Sequence, residues 1–484
     1  MTQKHFASNP IAVSVVNYGF VINNKTCIGC HACTVACKSE HDIPIGVNRT
    51  HVKYIEKGTY PDSTREFTVH RCNHCEDSPC TKICPTTALF TRVDGIVDFD
   101  DDRCIGCKSC MQACPYDALY IDPNKGTAAK CNYCAHRIEH SYEPACVIVC
   151  PTESIVSGDL SDPDSAISKL VATNSTTVRK PDSGAEPNLY YIDASDEMLD
   201  PMATDLTGSG MWTEQAFGVG HFAKYAESRL GEADTTSMIV QLALEKKAKK
   251  SAPRDQAIIK DVMERLSEDS GSAKRSYDQP SKGVLWGWEV STYIWTKGIA
   301  AGTYVVAILA MLSGMVEMSD ELWGMTLGVG ITFLALTGLL LVVDLDRPER
   351  FIYVMLRPNW DSWLVKGAYL LSGYGGVLAL SSGVLLLDLD RSLLSYLAIA
   401  GVPLALLTGV YTAWLLGQAK GRSWSEDSLL PAKFLVETLV IGAAVFFPMA
   451  LMDPLSILVG GAILVLILVH DNRLVVKPQM EPLL

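Results

Sequence analysis

Residues 27–37 read CIGCHACTVAC, and residues 104–115 read CIGCKSCMQACP. Both follow the spacing C-x2-C-x2-C-x3-C, in which three closely spaced cysteines wrap one iron–sulfur cluster and the fourth ligates the other cluster of a pair. Working outward, the first group is Cys27, Cys30, Cys33 and Cys37, and the third is Cys104, Cys107, Cys110 and Cys114. A second group, Cys72, Cys75, Cys80 and Cys84, differs by two extra residues, and a fourth is Cys131, Cys134, Cys146 and Cys150. These are all 16 cysteines of the 484-residue chain, and none follows Cys150. Pro85, Pro115 and Pro151 each follow the last cysteine of a group. Four groups of four predict four [4Fe–4S] clusters, and therefore a chain of one-electron carriers.

Other uses of cysteine account for the pattern less well. Zinc takes paired C-x2-C motifs but has no need of a triplet. A disulfide framework suits small secreted domains, and the N-terminal sequence MTQKHFASNP reads as neither a cleavable signal nor a twin-arginine leader. His31, His70, His74 and His136 lie near the cysteines. With four thiolates per cluster they are expected beside the ligand shell rather than in it.

Phe20-Val21-Ile22 before Cys27, and Ile96-Val97-Asp98-Phe99 before Cys104, read as strands feeding cluster loops. The expected fold is an α+β double-ferredoxin iron–sulfur domain over residues 1–155, followed by an all-α transmembrane helix bundle. A formal charge of −13 argues against a nucleic-acid partner. Residues 156–282 read as a polar extension and tether. Leu189 to Asp193 is a candidate strand, and Thr235 to Leu266 has helical periodicity with a basic run at Lys246, Lys247, Lys249 and Lys250. That run suits a solvated face, or anionic lipid headgroups. Ser267 to Lys282 reads as the tether itself.

From Gly298 the composition turns sharply apolar, within an expected membrane domain over residues 283–484. Six runs are candidates to cross a bilayer: Tyr293–Val316, Leu322–Val343, Leu364–Leu387, Leu393–Leu416, Leu430–Met452 and the shorter Leu455–Val469. The loops on one side hold Arg347, Arg350, Arg357, Lys366, Lys420, Arg422, Arg473 and Lys477. The opposite loops hold Glu317, Asp320, Glu321, Asp388, Asp390 and Asp453, with Arg391 as their basic residue. Basic loops face the cytoplasm. This predicts a multi-pass protein of the inner (cytoplasmic) membrane with both termini and the iron–sulfur domain inside.

The sixteen cysteines resemble those of the four-cluster electron-transfer subunits of the dimethyl sulfoxide reductase superfamily. The resemblance implies crossed ligation. Cys27, Cys30, Cys33 and Cys150 would hold one cluster, and Cys131, Cys134, Cys146 and Cys37 another. Cys72, Cys75, Cys80 and Cys114 would hold a third, and Cys104, Cys107, Cys110 and Cys84 the fourth. The C-terminal part resembles the polysulfide reductase membrane subunit (NrfD-like) family, through KGIAAGTY at 297–304, DLDRPERF at 344–351 and GVYTAWLLGQAKGR at 409–422. Most members of that family have eight or more helices and are separate polypeptides; this chain shows six and is fused.

The family places a quinone pocket where its membrane subunit meets the iron–sulfur subunit. Quinone chemistry needs a nearby cluster, an apolar slot and titratable groups, and charges within a membrane segment point to function. Glu289, Tyr293 and Lys297 recur every four residues on one face of the first helix. Tyr411 and Trp414 near the end of the fourth helix, and Lys433 and Glu437 early in the fifth, fall at the same membrane side. Tyr411, Glu289, Tyr293 and Lys297 are the candidate quinone residues. Each has a plainer reading: Lys297 snorkelling or paired with Glu289, Lys433 paired with Glu437, and Trp286 and Trp288 as interfacial belt residues. Asp346, Arg347 and Arg350 suit a solvated loop or a subunit contact.

These readings converge on an electron-transfer and membrane-anchor subunit passing electrons between a quinone pool and a separate catalytic subunit. The resemblance implies that this partner is a molybdenum or tungsten molybdopterin subunit. A rival reading wires the chain to a hydrogenase or a multihaem cytochrome, with ion translocation as a consequence.

Overall fold

In a computed structural model the structure describes residues 16–58, 62–200, 203–204, 273–278 and 282–480. The helical reading of Thr235 to Leu266 lies outside these residues. The chain folds into an iron–sulfur domain of small sheets and short helices seated on a bundle of six long helices.

In the upper domain, β1 (Tyr18–Asn23) pairs antiparallel with β8 (Ile155–Asp159) and parallel with β10 (Leu189–Ile192), which in turn pairs with β9 (Thr176–Thr177). Phe20, Val21 and Ile22 are buried in this sheet, as expected of a short apolar run. β2 (Thr50–Lys57) and β3 (Thr64–Arg71) form a hairpin joined by β11 (Lys274–Tyr277). Two further hairpins, β4 (Leu89–Thr91) with β5 (Val97–Phe99) and β6 (Leu119–Asp122) with β7 (Thr127–Lys130), frame the middle cysteine groups. The expected boundary at residue 155 therefore falls within a sheet. Residues 155–192 complete the β1 sheet, and part of the expected tether, 274–277, is a strand on β2. β10 is the strand expected at Leu189 to Asp193 and lies inside its sheet, whereas β8, β9 and β11, short and at sheet edges, were hidden by polar composition.

The repeat CIGC is visible in the backbone. Gly29 and Gly106 both take left-handed conformations, with φ of 68° and 71°, and so do His31 and Lys108 two residues on, with φ of 61° and 59°. A left-handed non-glycine residue costs on the order of 1–3 kcal/mol and persists only where its surroundings impose it. In each loop it reverses the chain into a short helix, Ala32–Glu40 or Ser109–Ala113, that delivers the third and fourth cysteines.

The six long helices are Trp288–Leu312, Asp320–Val343, Trp363–Leu386, Ser392–Gly417, Leu430–Leu451 and Pro454–Met480, each long and apolar enough to cross a membrane. The first is buried along most of its length and is the hub of the bundle. It crosses the fifth at Gly302 and Gly442, where a Cβ on Gly442 would lie 2.1 Å from the Gly302 carbonyl carbon. Small residues permit such close backbone approach between membrane helices. The sixth helix runs well past the expected end at Val469. Its polar end reaches the iron–sulfur domain at Gln479, which is buried and bonded to Gln112.

That junction is closely bonded. Gln479 Oε1 accepts from Gln112 Nε2 at 2.6 Å and from the Leu285 and Trp286 backbone N–H groups at 2.9 Å, while Arg422 Nε donates to Gln112 Oε1 at 2.9 Å. Asn359 Nδ2 donates to the Cys84 carbonyl at 2.7 Å, and Ser362 Oγ to that of Ile83 at 2.7 Å. Arg350 Nη1 caps the carbonyls of Asp101 and Cys104, and Arg347 Nε that of Lys125. The arginines of the DLDRPERF loop thus contact the cluster domain of their own chain.

Candidate functional site

None of the sixteen cysteines forms a disulfide, and eleven are buried. Their electrostatic neighbours cross between sequence groups. Cys37 faces Cys131, Cys146 and Cys134, and Cys27 faces Cys150 and Cys30. Cys75 faces Cys72, Cys114 and Cys80, whereas Cys107 and Cys110 both face Cys84 and Cys104. Burial pushes Cys33 and Cys104 up to about 11, and Cys107 and Cys134 up to about 12. Such thiols ionise only beside positive charge.

Part of that charge is built in. Arg71, 2 % exposed, donates from Nη1 to Cys146 Sγ at 3.0 Å, and its Nε and Nη2 find no hydrogen-bond partner among the described residues. Lys130, fully buried, lies close enough to Cys72 to act on its thiol. Buried cations aimed at clustered sulfurs fit anionic, thiolate-held iron–sulfur groups. Hydrogen bonds to sulfur from Ala128 N to Cys104 and from Ser154 N to Cys150, both 3.3 Å, are of the kind that tunes cluster potentials. His41 Nε2 lies 3.2 Å from Cys134 Sγ, a contact the sequence did not single out because His41 is distant from that cysteine along the chain.

Between the two domains lies a cavity of about 270 Å³. Its ceiling is cluster-loop material, Ile105, Cys107 and Ser109, and its sides come from the first four membrane helices and the loop after the second. Tyr293 and Tyr411 stand in the wall with Trp286 and Asp344, among mostly apolar side chains. Trp286 is buried rather than in an interfacial belt, and its Nε1 donates to the Cys107 carbonyl at 3.2 Å. Burial pushes the Asp344 carboxyl up to about 7, with Lys108 pulling it back and Glu289 and Asp346 adding to the rise.

The four candidate residues divide. Tyr293 and Tyr411 line the cavity, whereas Glu289 and Lys297 are not among its lining residues. Glu289 is half-buried at the start of the first helix. Lys297 sits behind Tyr411, donating to Thr412 Oγ1 at 2.5 Å, with its Nζ 4.5 Å from the Tyr411 ring centroid. Lys433 pairs with Asp427, not with Glu437. Asp344 is the wall residue sequence reasoning missed; the available signal was an acid closing an apolar run just before a basic loop.

The comparisons agree with both halves. A family model described as a 4Fe-4S dicluster domain matches residues 64–160, and a 4Fe-4S binding domain matches 24–40. A third, "Polysulphide reductase, NrfD", matches 278–456. The B chain of polysulfide reductase from Wolinella succinogenes is 43% identical over 178 residues, 36% of this chain and 93% of the relative. This protein belongs to the iron–sulfur B-subunit family of such reductases, fused here to an NrfD domain. The B subunit of tetrathionate reductase from Salmonella typhimurium is 38% identical over 189 residues, covering 38% of this chain and 76% of the relative. The iron–sulfur B subunit of a putative dimethyl sulfoxide reductase from Halobacterium salinarum is 40% identical over 209 residues, covering 37% and 79% respectively. This B-subunit/NrfD fusion is a multi-pass membrane protein whose N-terminal domain binds iron–sulfur clusters and transfers electrons.

Proposed function

We propose that the fusion connects the quinone pool to a separate molybdenum or tungsten molybdopterin reductase. Four [4Fe–4S] clusters, held by the crossed cysteine sets implied by the family resemblance, supply the one-electron steps between them. The observation that carries this reading is that Cys107 lines the same cavity as Tyr293, Tyr411 and Asp344. A ring in that cavity would stand against a ligand of the nearest cluster, with phenol and carboxyl groups beside it to exchange protons. Its volume lies close to the lower end of the range for small-molecule sites.

The far end of the cysteine array suits the partner. Cys30 is exposed, and Ile28, Val35, Ile148 and Val149 expose apolar side chains around the first and fourth cysteine groups. An apolar surface beside an exposed cluster ligand suits docking of another redox subunit. The relatives are named as subunits of polysulfide, tetrathionate and dimethyl sulfoxide reductases, which supports a reductase partner for a small oxidised sulfur compound or a similar acceptor. The basic loops support a cytoplasmic position for the iron–sulfur domain, both termini and that partner.

The test is anaerobic isolation of the complex from native membranes through a tag on this chain, with metal analysis. Molybdenum or tungsten together with about sixteen irons per chain is the expected result. Nickel or haem in place of both would move the chain to the hydrogenase or cytochrome reading.

A further inference from the structure

Behind the tyrosines of the cavity wall, polar side chains from four helices meet inside the bundle. Lys297 of the first helix is 1 % exposed. Its Nζ bonds Thr412 of the fourth helix, lies over the rings of Tyr411 and Phe434, and is acted on by Glu437 of the fifth helix and Asp471 of the sixth. The Thr412 hydroxyl also interacts with the phenols of Tyr293 and Tyr411, both in the cavity wall. Asp471 is 1 % exposed. A carboxylate oxygen of Asp471, one of Glu437 and a ring nitrogen of His470 lie within 4.8 Å of one another. Glu437 Oε1 and Asp471 Oδ2 are buried without a hydrogen-bond partner among the described residues.

Two features give this cluster a direction. His470 Nδ1 lies 3.8 Å from Asp471 Oδ1, and the His470 side chain is 64% exposed. His470 also stands where the apolar run of the sixth helix gives way to Asp471, Asn472 and Arg473, the level at which a bilayer core ends. The groups therefore run from the cavity wall to the polar edge of the membrane. Ionisable side chains inside a membrane domain are costly, and where they are retained they mark ion or proton paths. Two carboxyl groups this close together, with a histidine beside them, can relay a proton from one to the next. The Lys297 amine facing the same carboxyls suits proton transfer better than a bound cation. The NrfD match ends at residue 456, so His470 and Asp471 lie beyond the part of the chain that carries that likeness.

We propose that Thr412, Lys297, Glu437, Asp471 and His470 form a proton conduit joining the quinone cavity to the cytoplasmic edge of the membrane. The proposal rests on the quinone reading of the cavity. Oxidation of a quinol yields a quinone, two electrons and two protons. The electrons leave through the Cys107 side, and the protons leave behind the tyrosines, from Tyr411 and Tyr293 by way of Thr412 and Lys297 to the carboxyl pair and out at His470. Quinone reduction runs the same balance in reverse, drawing two protons from water. Separate exits let charge leave the cavity without water entering it.

The test uses the full-length protein in lipid nanodiscs, with infrared spectra in H2O and D2O and binding of a naphthoquinone-type inhibitor followed by fluorescence quenching. The wild type should show a protonated-carboxyl band that shifts on D2O exchange and is lost in both Glu437→Gln and Asp471→Asn. Both variants should bind the inhibitor within about twofold of wild type while reoxidation of reduced clusters by a quinone analogue slows about a hundredfold, the scale of a lost proton-transfer group. Wild-type protein that binds the inhibitor but has no exchanging carboxyl band overturns the conduit alone. Wild-type protein that binds no inhibitor overturns the quinone reading, whatever the band does. Variants that lose inhibitor binding make these residues pocket scaffolding and also overturn the conduit. His470→Ala, at an exposed position, keeps the test open if a buried variant fails to assemble: it should slow exchange of the band several-fold, and unchanged exchange refutes the exit at His470.

Discussion

A single methyl group on Gly367 should disable the cavity while leaving the cluster domain untouched. Gly367, in the third membrane helix, packs flat against the ring of Tyr411. A Cβ there would lie 2.1 Å from Tyr411 Cε2, 2.4 Å from Cδ2 and 2.7 Å from Cζ. Ordinary contact begins at 3.4 Å, so the ring must retreat by about 1.3 Å, or the two helices must separate. Overpacking of this kind costs about 1–3 kcal/mol. A displacement of about 1 Å in a positioned group costs on the order of a hundredfold in rate. The ring also has the Lys297 amine 4.5 Å from its centroid, so the shift disturbs the cavity and the groups behind it together. The assay is stopped-flow reoxidation of dithionite-reduced full-length protein by a soluble naphthoquinone. Gly367→Ala should be slower by about a hundredfold, with iron content and the paramagnetic resonance of the clusters unchanged. Gly376→Ala and Gly383→Ala, in the same helix, meet nothing within 4 Å and should behave as wild type. Wild-type reoxidation in Gly367→Ala would refute a working role for the placement of Tyr411. Equal slowing in the two control variants would trace the effect to the helix rather than to the ring.

Other expectations concern the clusters, the junction and the orientation. Cys37→Ser should disturb the resonance of the cluster held by Cys131, Cys134 and Cys146; loss of the first-group signal alone would refute crossed ligation. Because burial raises the Asp344 carboxyl to about 7, it is ionised and able to accept a proton only above that pH. Quinol oxidation should therefore rise through about pH 7, and Asp344→Asn should flatten that limb; a variant with the wild-type profile would remove Asp344 from the reaction. Gln479→Leu removes the acceptor for three buried N–H donors, at roughly 1–3 kcal/mol for each donor left unsatisfied. It should lower the thermal midpoint and loosen the domain junction to protease, and an unchanged midpoint would show that the junction is held elsewhere. A reporter fused at the C-terminus should be active in the cytoplasm, and periplasmic activity would reverse the assigned topology.

Much of this architecture is legible along the chain because its signals are local. The C-x2-C-x2-C-x3-C spacing is a property of eleven consecutive residues, and the matching left-handed conformations at Gly29 and Gly106 follow from the same phrase. A membrane span is likewise a run of consecutive apolar residues, and all six appear near their expected places. Signals failed where they were short or depended on partners. The strand at 274–277 is invisible in a polar segment because its pairing with β2 is what makes it a strand. The sixth helix looked short because its last turns are polar, and its end is polar where Gln479 meets Gln112 across the domain junction.

The candidate site divides along the same line. Helical periodicity correctly put Tyr293 and Lys297 on one face of the first helix, but not on one side of the cavity wall: Tyr293 lines it, and Lys297 stands behind Tyr411. Glu437 lies four residues from Lys433, yet Lys433 reaches back to Asp427 and Glu437 turns inward to Asp471. By itself the sequence determined the donor set, the cluster-binding domain and the number of membrane spans, since each is encoded in residues close together in the chain. Only the tertiary structure decided which cluster ligand borders the cavity, which of two tyrosines and two charges line it, and which buried acids meet, because those are distances between helices packed in three dimensions.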